Sequence, residues 1–263
     1  MNRTLLLFAF GLLAGALGGL MGVGGGLVLV PLLVRFAGTG QHEAQGTSLA
    51  FIVAAALVAS AKYYGSEHLD LALAGTIAAG AVPGALLGSA IAARTSGRAL
   101  RLCFGVLIAL TAVRILAFPP VHEHPGALWP VPANLALGLG MGTLAGLVGI
   151  GGGTLLVPAL VLGEGVGQHE AQGISLLVIV PVAIAGVISY AAHGRIDRSS
   201  IPATMAGGAA GGFLGALAAH HIHGETLSRI FGAFLLFVAA QMIFRRARGT
   251  VPRSLGAESG GTP

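Results

Sequence analysis

Two short motifs hold most of the residues that could do chemistry, and each occurs twice. Gly22-Val23-Gly24-Gly25-Gly26, closed by Pro31, returns as Gly149-Ile150-Gly151-Gly152-Gly153, closed by Pro158. Successive glycines let backbone N–H groups converge on one point, and a short helix behind each loop adds the positive end of its dipole, which together make an anion cradle. Neither loop is a nucleotide site, because no Lys-Ser/Thr follows and no GxGxxG is completed. The second motif, Gln41-His42-Glu43-Ala44-Gln45-Gly46-Thr47-Ser48, returns as Gln168-His169-Glu170-Ala171-Gln172-Gly173-Ile174-Ser175, with seven of eight positions identical. Gln45, Thr47, Ser48, Gln172 and Ser175 carry amides and hydroxyls at the opening of an apolar segment, where they can donate to an anion or cap a helix. His42-Glu43 and His169-Glu170 read either as titratable pairs able to couple to protons or as solvated loop groups.

The remaining polar residues exclude more than they offer. Asp70 and Asp197 stand just before an apolar segment and read as helix N-caps. His220, His221 and His223 have no matching cluster in the other half and read as a surface run rather than a metal site. Cys103 is the single cysteine, so no internal disulfide or Cys-rich site is possible. No catalytic set is present, no G-x-S-x-G occurs, and neither a cofactor nor a metal is expected. A formal charge of +5 without basic-aromatic interleaving gives no reason to expect nucleic acid as a partner.

Both motifs recur at one spacing, 127 residues, as do Gly84 and Gly211, Gly88 and Gly215, and Phe104-Gly105 and Phe231-Gly232. The chain is therefore two tandem repeats. Of its 263 residues 55% are hydrophobic and 9% charged, with mean hydropathy +0.88; an average soluble domain carries about 25% charged residues. The apolar residues come in long blocks, so the bilayer is the expected solvent. Each half shows five blocks, in the first half near 5–20, 27–37, 47–64, 71–93 and 99–118. The fourth spans about 35 Å at about 1.5 Å per residue, enough for a core of about 30 Å. The second spans only about 16 Å, and Pro31 suits a helix start there. A short, Gly/Pro-interrupted segment at matching places in two halves marks a transporter's binding site. The block at 5–20 resembles a signal peptide, but its repeat mate lies mid-chain, so it is expected to be retained in the fold.

These features predict an all-α, polytopic transmembrane bundle of two inverted repeats, each with five apolar segments, one of them short and broken or re-entrant. The first repeat is 1–118, the linker 119–133, the second repeat 134–244, and 245–263 a disordered cytoplasmic tail. If segments one and two go in and return, eleven of fourteen Lys and Arg residues fall on the side of the N-terminus; treating them as one broken span gives nine. The positive-inside rule then favours inverted repeats with both termini cytoplasmic. Glycines at four-residue spacing, such as 11, 15, 19 and 80, 84, 88, predict close helix contacts.

The doubled GxGGGxxxxP loop, each followed by an A-x-G-[TI]-S helix start, resembles the sulfite exporter TauE/SafE family of membrane permeases over nearly the whole chain. Gln45 and Gln172 depart from the small residue expected in that pattern. The resemblance implies an inner-membrane transporter of sulfite or small organosulfonate anions, with Gly22, Gly24, Gly25, Gly26, Gly149, Gly151, Gly152 and Gly153 as site loops. Secondary active export by alternating access is the expected mechanism. An anion channel and a non-transporting membrane scaffold or assembly protein are the alternatives. The expected partners are a small sulfur-containing anion and the lipid bilayer; the sequence gives no oligomeric state.

Overall fold

The computed structural model describes residues 2–65, 69–92, 97–117, 129–148 and 153–244. Gly149, Gly151 and Gly152, the whole tail 245–263 and most of the linker lie outside them. The secondary structure of the described residues is all helix: α1 (Arg3–Met21), α2 (Gly26–Phe36), α3 (Gln41–Tyr64), α4 (Leu71–Ala92), α5 (Gly97–Ala117), α6 (Val131–Val148), α7 (Gly153–Ala159, continued by a π-helical turn Leu160–Glu164), α8 (Gln168–Ala192), α9 (Ile201–His220) and α10 (Gly224–Phe244). Six of them (α1, α3, α4, α8, α9 and α10) are long and apolar enough to cross a membrane. Large apolar side chains such as Leu57, Leu110, Ile188 and Phe237 point outward, half or more exposed, as lipid-facing surfaces require.

The second segment is short, as expected. At eleven residues, α2 covers about 16 Å and cannot cross alone. It folds back along α1, with the ring of Phe36 5.8 Å from that of Phe10. Two boundaries differ from the sequence expectation. Pro31 lies inside α2 rather than at its start, because the helix, capped by Gly25, already begins at Gly26. Pro158 is likewise internal to α7, and a π-turn follows at Leu160–Glu164. The third segment starts at Gln41 rather than residue 47. Its polar opening is helix-compatible, and Glu43 in the first turn complements the helix dipole.

The glycine rows pack helices from opposite halves of the chain. Gly11, Gly15 and Gly19 of α1 lie against Thr204, Gly208 and Gly212 of α9 in register, so the two helices run parallel. Gly80, Gly84 and Gly88 of α4 meet Leu135, Leu139 and Thr143 of α6 in the same parallel manner. A β-carbon at any of these glycines would collide with a backbone carbonyl of the facing helix, so the row itself sets the approach. The first helix of each half is thereby locked to the fourth helix of the other. Helix α3 runs parallel to α9, with Phe51 on Gly208 and Ala55 on Gly212, and antiparallel to α8, with Leu49 on Gly186 and Tyr63 on Gly173. Helices α1, α3 and α9 therefore point one way and α8 the other; α4 runs with α8, Ala81 sharing a void with Val178 and Ser89 sharing one with Ser189, and α6 runs with α4.

Two apolar cores result. One joins α4, α5, α7, α8 and α10 through residues such as Ile77, Ile108, Leu156, Ile174 and Phe231. The other joins α1, α2, α3 and α9 through Leu7, Leu29, Phe51 and Ala216. Helix α8 serves both, giving Val178 and Val182 to the first and Leu176 and Ile179 to the second.

Candidate functional site

The first glycine loop sits at the centre of the molecule. Helix α1 ends because Gly22 turns left-handed at φ 70°, with the N–H groups of Gly22 and Val23 both returning to Gly18 O. Gly24 and Gly25 follow at φ 76° and 77°. Only glycine takes such a run without strain. The loop is also too close to its neighbours for side chains. A β-carbon on Gly25 would collide with Ala14 O, and one on Gly22 would stand 2.7 Å from Gln172 Cα. Val28 and Leu29 N–H donate back to Gly25 O, while the N–H groups of Gly24, Gly25 and Gly26 meet no backbone acceptor among the described residues.

Of the second loop only Gly153 is described. A β-carbon there would stand 2.8 Å from Val23 Cα and 3.0 Å from Gly22 O. The end of the second motif therefore abuts the first.

Three of the sequence-selected polar residues gather on this loop. Ser175 Oγ donates to Gly22 O at 2.8 Å. Gln172, fully buried, accepts from Tyr63 Oη at 2.8 Å through its Oε1, but its Nε2 has no hydrogen-bond partner among the described residues. Ser48 Oγ is also buried without a partner among the described residues, beside Gly26, where a β-carbon would stand 2.9 Å from it. Leaving such groups unpaired costs roughly 1–3 kcal/mol each. Their unpaired capacity includes donors: two N–H on the amide and one O–H on the serine.

The other selected residues lie elsewhere. Gln45 accepts from Tyr190 Oη at 3.3 Å, and Thr47 Oγ1 accepts from Asp197 N at 3.1 Å, both at the end of the bundle that carries Arg3. None of the five residues caps a helix: α3 and α8 begin at Gln41 and Gln168, behind Gly40 and Gly167. His42 and Glu43 are exposed in the first turn of α3. His169 and Glu170 are half-buried in the first turn of α8, where His169 Nε2 pairs with Ala219 O at 3.0 Å and its ring stacks on His220 at 5.9 Å. His220 also packs on Tyr63 at 4.9 Å. It is the half-buried last residue of α9, so only His221 and His223 fit the expected surface run.

Asp70 caps α4, accepting from Leu73 N at 2.9 Å. Asp197 does not cap α9, whose N-cap is Ser200. It instead gathers Ser199 N, Ser199 Oγ, Ser200 Oγ and Arg3 Nη2 in the preceding turn. Partial burial pushes its carboxyl up, but those hydrogen bonds and the guanidinium outweigh it and hold the group below the ordinary carboxylate range. Among the described residues no three His, Cys, Asp or Glu side chains group to hold a metal ion.

The sulfite exporter TauE/SafE model matches residues 7–242, both loops and both polar motifs included. The chain belongs to the sulfite exporter TauE/SafE family. A probable membrane transporter protein of Xylella fastidiosa (strain 9a5c) is 33% identical over 240 residues, covering 86% of this chain and 90% of its own. Probable membrane transporter protein YunE of Bacillus subtilis is 26% identical over 264 residues, covering 91% and 97%. A probable membrane transporter protein of Methanocaldococcus jannaschii is 26% identical over 191 residues, covering 70% and 71%. No solved structure matches. The TauE/SafE chain is thus a multi-pass protein of a membrane transporter family.

Some contributors to this TauE/SafE site lie outside the two motifs. Tyr63 and Tyr190 stand 127 residues apart and bond the glutamines Gln172 and Gln45, which are spaced the same way. The repeat therefore contained the signal, hidden because a tyrosine at the end of an apolar block reads as lipid-facing. Ile52 and Ile179 are another such pair, and both face Gly24. Glu164, fully buried at the end of the π-turn, accepts from Trp129 N at 2.9 Å and ties the entry of α6 to α7.

Proposed function

We propose that this TauE/SafE protein is a secondary transporter that exports sulfite or a small organosulfonate anion across the cell inner membrane by alternating access. The observation that carries the reading is the pair of unpartnered buried groups, Gln172 Nε2 and Ser48 Oγ, beside a left-handed glycine loop. An oxyanion offers the acceptors these donors lack, and hydrogen bonds to a charged partner contribute about 1.5–3 kcal/mol each. Gly22, Gly24, Gly25, Gly26 and Ser175 shape the cradle, and Gly149, Gly151, Gly152 and Gly153 are its counterpart from the second half. In this reading Gln45 and Thr47 act at the Arg3 end, away from the first loop.

Inverted repeats are part of the proposal. The opposite directions of α1 and α6, and of α3 and α8, support it. The Arg3 end is assigned to the cytoplasm, which agrees with the Arg35 and Arg195 charges at the same end. His169 and Glu170 are the proton-coupling candidates, since His42 and Glu43 stand in solvent.

Gly22 to Gly26 are buried, so the donors meet an anion only after the surrounding helices move apart. A closed centre of this kind supports a transporter over an open anion channel. Buried donors without partners are difficult to account for in a scaffold. Moving one charge is worth about 2.3 kcal/mol per 100 mV, so membrane potential alone can expel an anion. In proteoliposomes with potential and pH gradient imposed separately, sulfite or sulfoacetate flux should follow at least one of them and saturate. Flux indifferent to both, or absent for every sulfur oxyanion tried, contradicts the reading.

A further inference from the structure

The repeat makes each half a template for the other, so places where the halves differ in packing carry information. On the α3·α9 side, Ala55 and Ala59 are buried, and a β-carbon on Gly212 would stand 2.6 Å from Ala55 O. The contact is shut. Their repeat mates on the α8·α4 side are Val182, Gly186 and Ala85. These three line a cavity of about 50 Å³ among α3, α4, α6 and α8, which reaches Ser89, Ser189 and Tyr190 at the Arg3 end. The same contact is closed at one end of the bundle and parted at the other.

The cavity points at the glycine loop. It shares Ala145 and Val182 with a second, smaller void of about 10 Å³, lined also by Met141, Leu156 and Ile179. Ile179 ends that path. A β-carbon on Gly153 would stand 2.6 Å from its Cδ1, and one on Gly24 3.4 Å from its Cγ2. The repeat mate Ile52 takes the corresponding place from the other half: a β-carbon on Gly26 would stand 2.5 Å from its Cδ1, and one on Gly24 3.1 Å from its Cγ2.

We infer that Ile179 and Ile52 are the two gates of the glycine loop, and that this conformer has its vestibule at the Arg3 end, closed from the loop by Ile179. The inference rests on the transporter reading for its purpose but not for its test. An isoleucine suits the role because a dry aliphatic side chain denies a hydrated anion any partner until it swings away. The opposite state follows from exchanging the two halves, so that α8 closes on α4 while α3 parts from α9. A small hydrated oxyanion would enter between Ser189 and Ser89, pass Val182 and wait at Ile179.

Cysteine accessibility in sealed vesicles tests this without any substrate. In a Cys103→Ala background, Val23→Cys places a thiol beside Gly153, behind the gate. A membrane-impermeant thiol reagent should leave it untouched from either side. Adding Ile179→Ala should raise its labelling from the Arg3 side by about tenfold or more, as lost packing makes local opening more frequent, with Ile179→Val in between. Ile52→Ala should not admit reagent from the Tyr63 side, because Ala55 and Ala59 seal the path beyond it. Ser189→Cys, with both gates intact, should label from the Arg3 side alone, which keeps the test independent of any gate variant that fails to fold.

The inference is overturned if Val23→Cys stays closed in an Ile179→Ala protein that melts and elutes like its parent. It is equally overturned if both isoleucine variants open alike, or if Ser189→Cys labels from the Tyr63 side. Anion binding that ignores Gln172 while labelling follows this pattern would remove the transporter reading and leave the gates standing; the reverse result would do the opposite.

Discussion

At the residue scale, the repeat-related tyrosines offer a direct comparison. Tyr63 Oη serves Gln172 Oε1 at 2.8 Å and lies 3.1 Å from Gly19 O, all buried, whereas Tyr190 Oη reaches Gln45 at 3.3 Å in a half-buried setting. Tyr63→Phe removes the single O–H that Gln172 Oε1 and Gly19 O share and should cost about 1–3 kcal/mol. Tyr190→Phe should cost well under half of that, since water can replace the lost bond. Thermal unfolding in detergent distinguishes the two, and equal shifts would contradict the difference in burial. Asp197 supplies a pH prediction. Its native carboxyl sits below its unfolded value of about 3.9, so the native state binds fewer protons between the two. The stabilisation is complete above the unfolded value and is lost as pH falls through the native one. Asp197→Asn should therefore melt lower than its parent at neutral pH, and the gap should close in acid.

At the element scale, the glycine rows make the firmest claim. Gly15→Leu on α1 places a side chain against Gly208 O and Gly212 N, where no rotamer escapes, and should abolish folding or yield. Gly140→Leu on α6 points into open space, with only the helix propensity gained. Expression and monodispersity separate the pair. Helix packing was readable from sequence because small residues at every fourth position have few other uses in lipid. Boundaries were less readable. Gln41 to Gln45 are polar and so fall ahead of the apolar block at 47–64, yet nothing in them breaks a helix, and Gly40 rather than Thr47 caps it. Pro31 looked like a helix start because proline favours that place in water-soluble helices; here Gly25 had already begun the helix. The site divides the same way. Gln172, Ser48 and Ser175 were visible as repeated donors, but their gathering on one loop while Gln45 and Thr47 bind elsewhere depends on tertiary contacts that no spacing encodes. Tyr63, Ile52 and Ile179 were missed because an apolar block gives no reason to single out one residue.

At the scale of the whole molecule, the interlocking of halves decides how it can move. Helix α1 is bound to α9 and α6 to α4 along full glycine rows, so each pair should travel as a unit. The less densely joined contacts, α3 on α9 and α8 on α4, are where opening is cheapest. A disulfide between Ala55→Cys and Gly212→Cys, if it forms, should leave the Arg3-end vestibule accessible and stop transport, because it forbids the exchanged state. Continued transport by the oxidised protein would contradict alternating motion at that contact.

Everything functional rests on unpaired donors at the glycine loop receiving an oxyanion. Titration calorimetry of purified protein with sulfite, sulfate, thiosulfate and sulfoacetate tests this most directly, using the native chain, Gln172→Met and Ser48→Ala. At least one anion should bind the native protein, and each variant should weaken it by about tenfold or more, the loss of one hydrogen bond to a charged group. Binding of unchanged strength in both variants, in proteins that melt like the native one, would contradict the account.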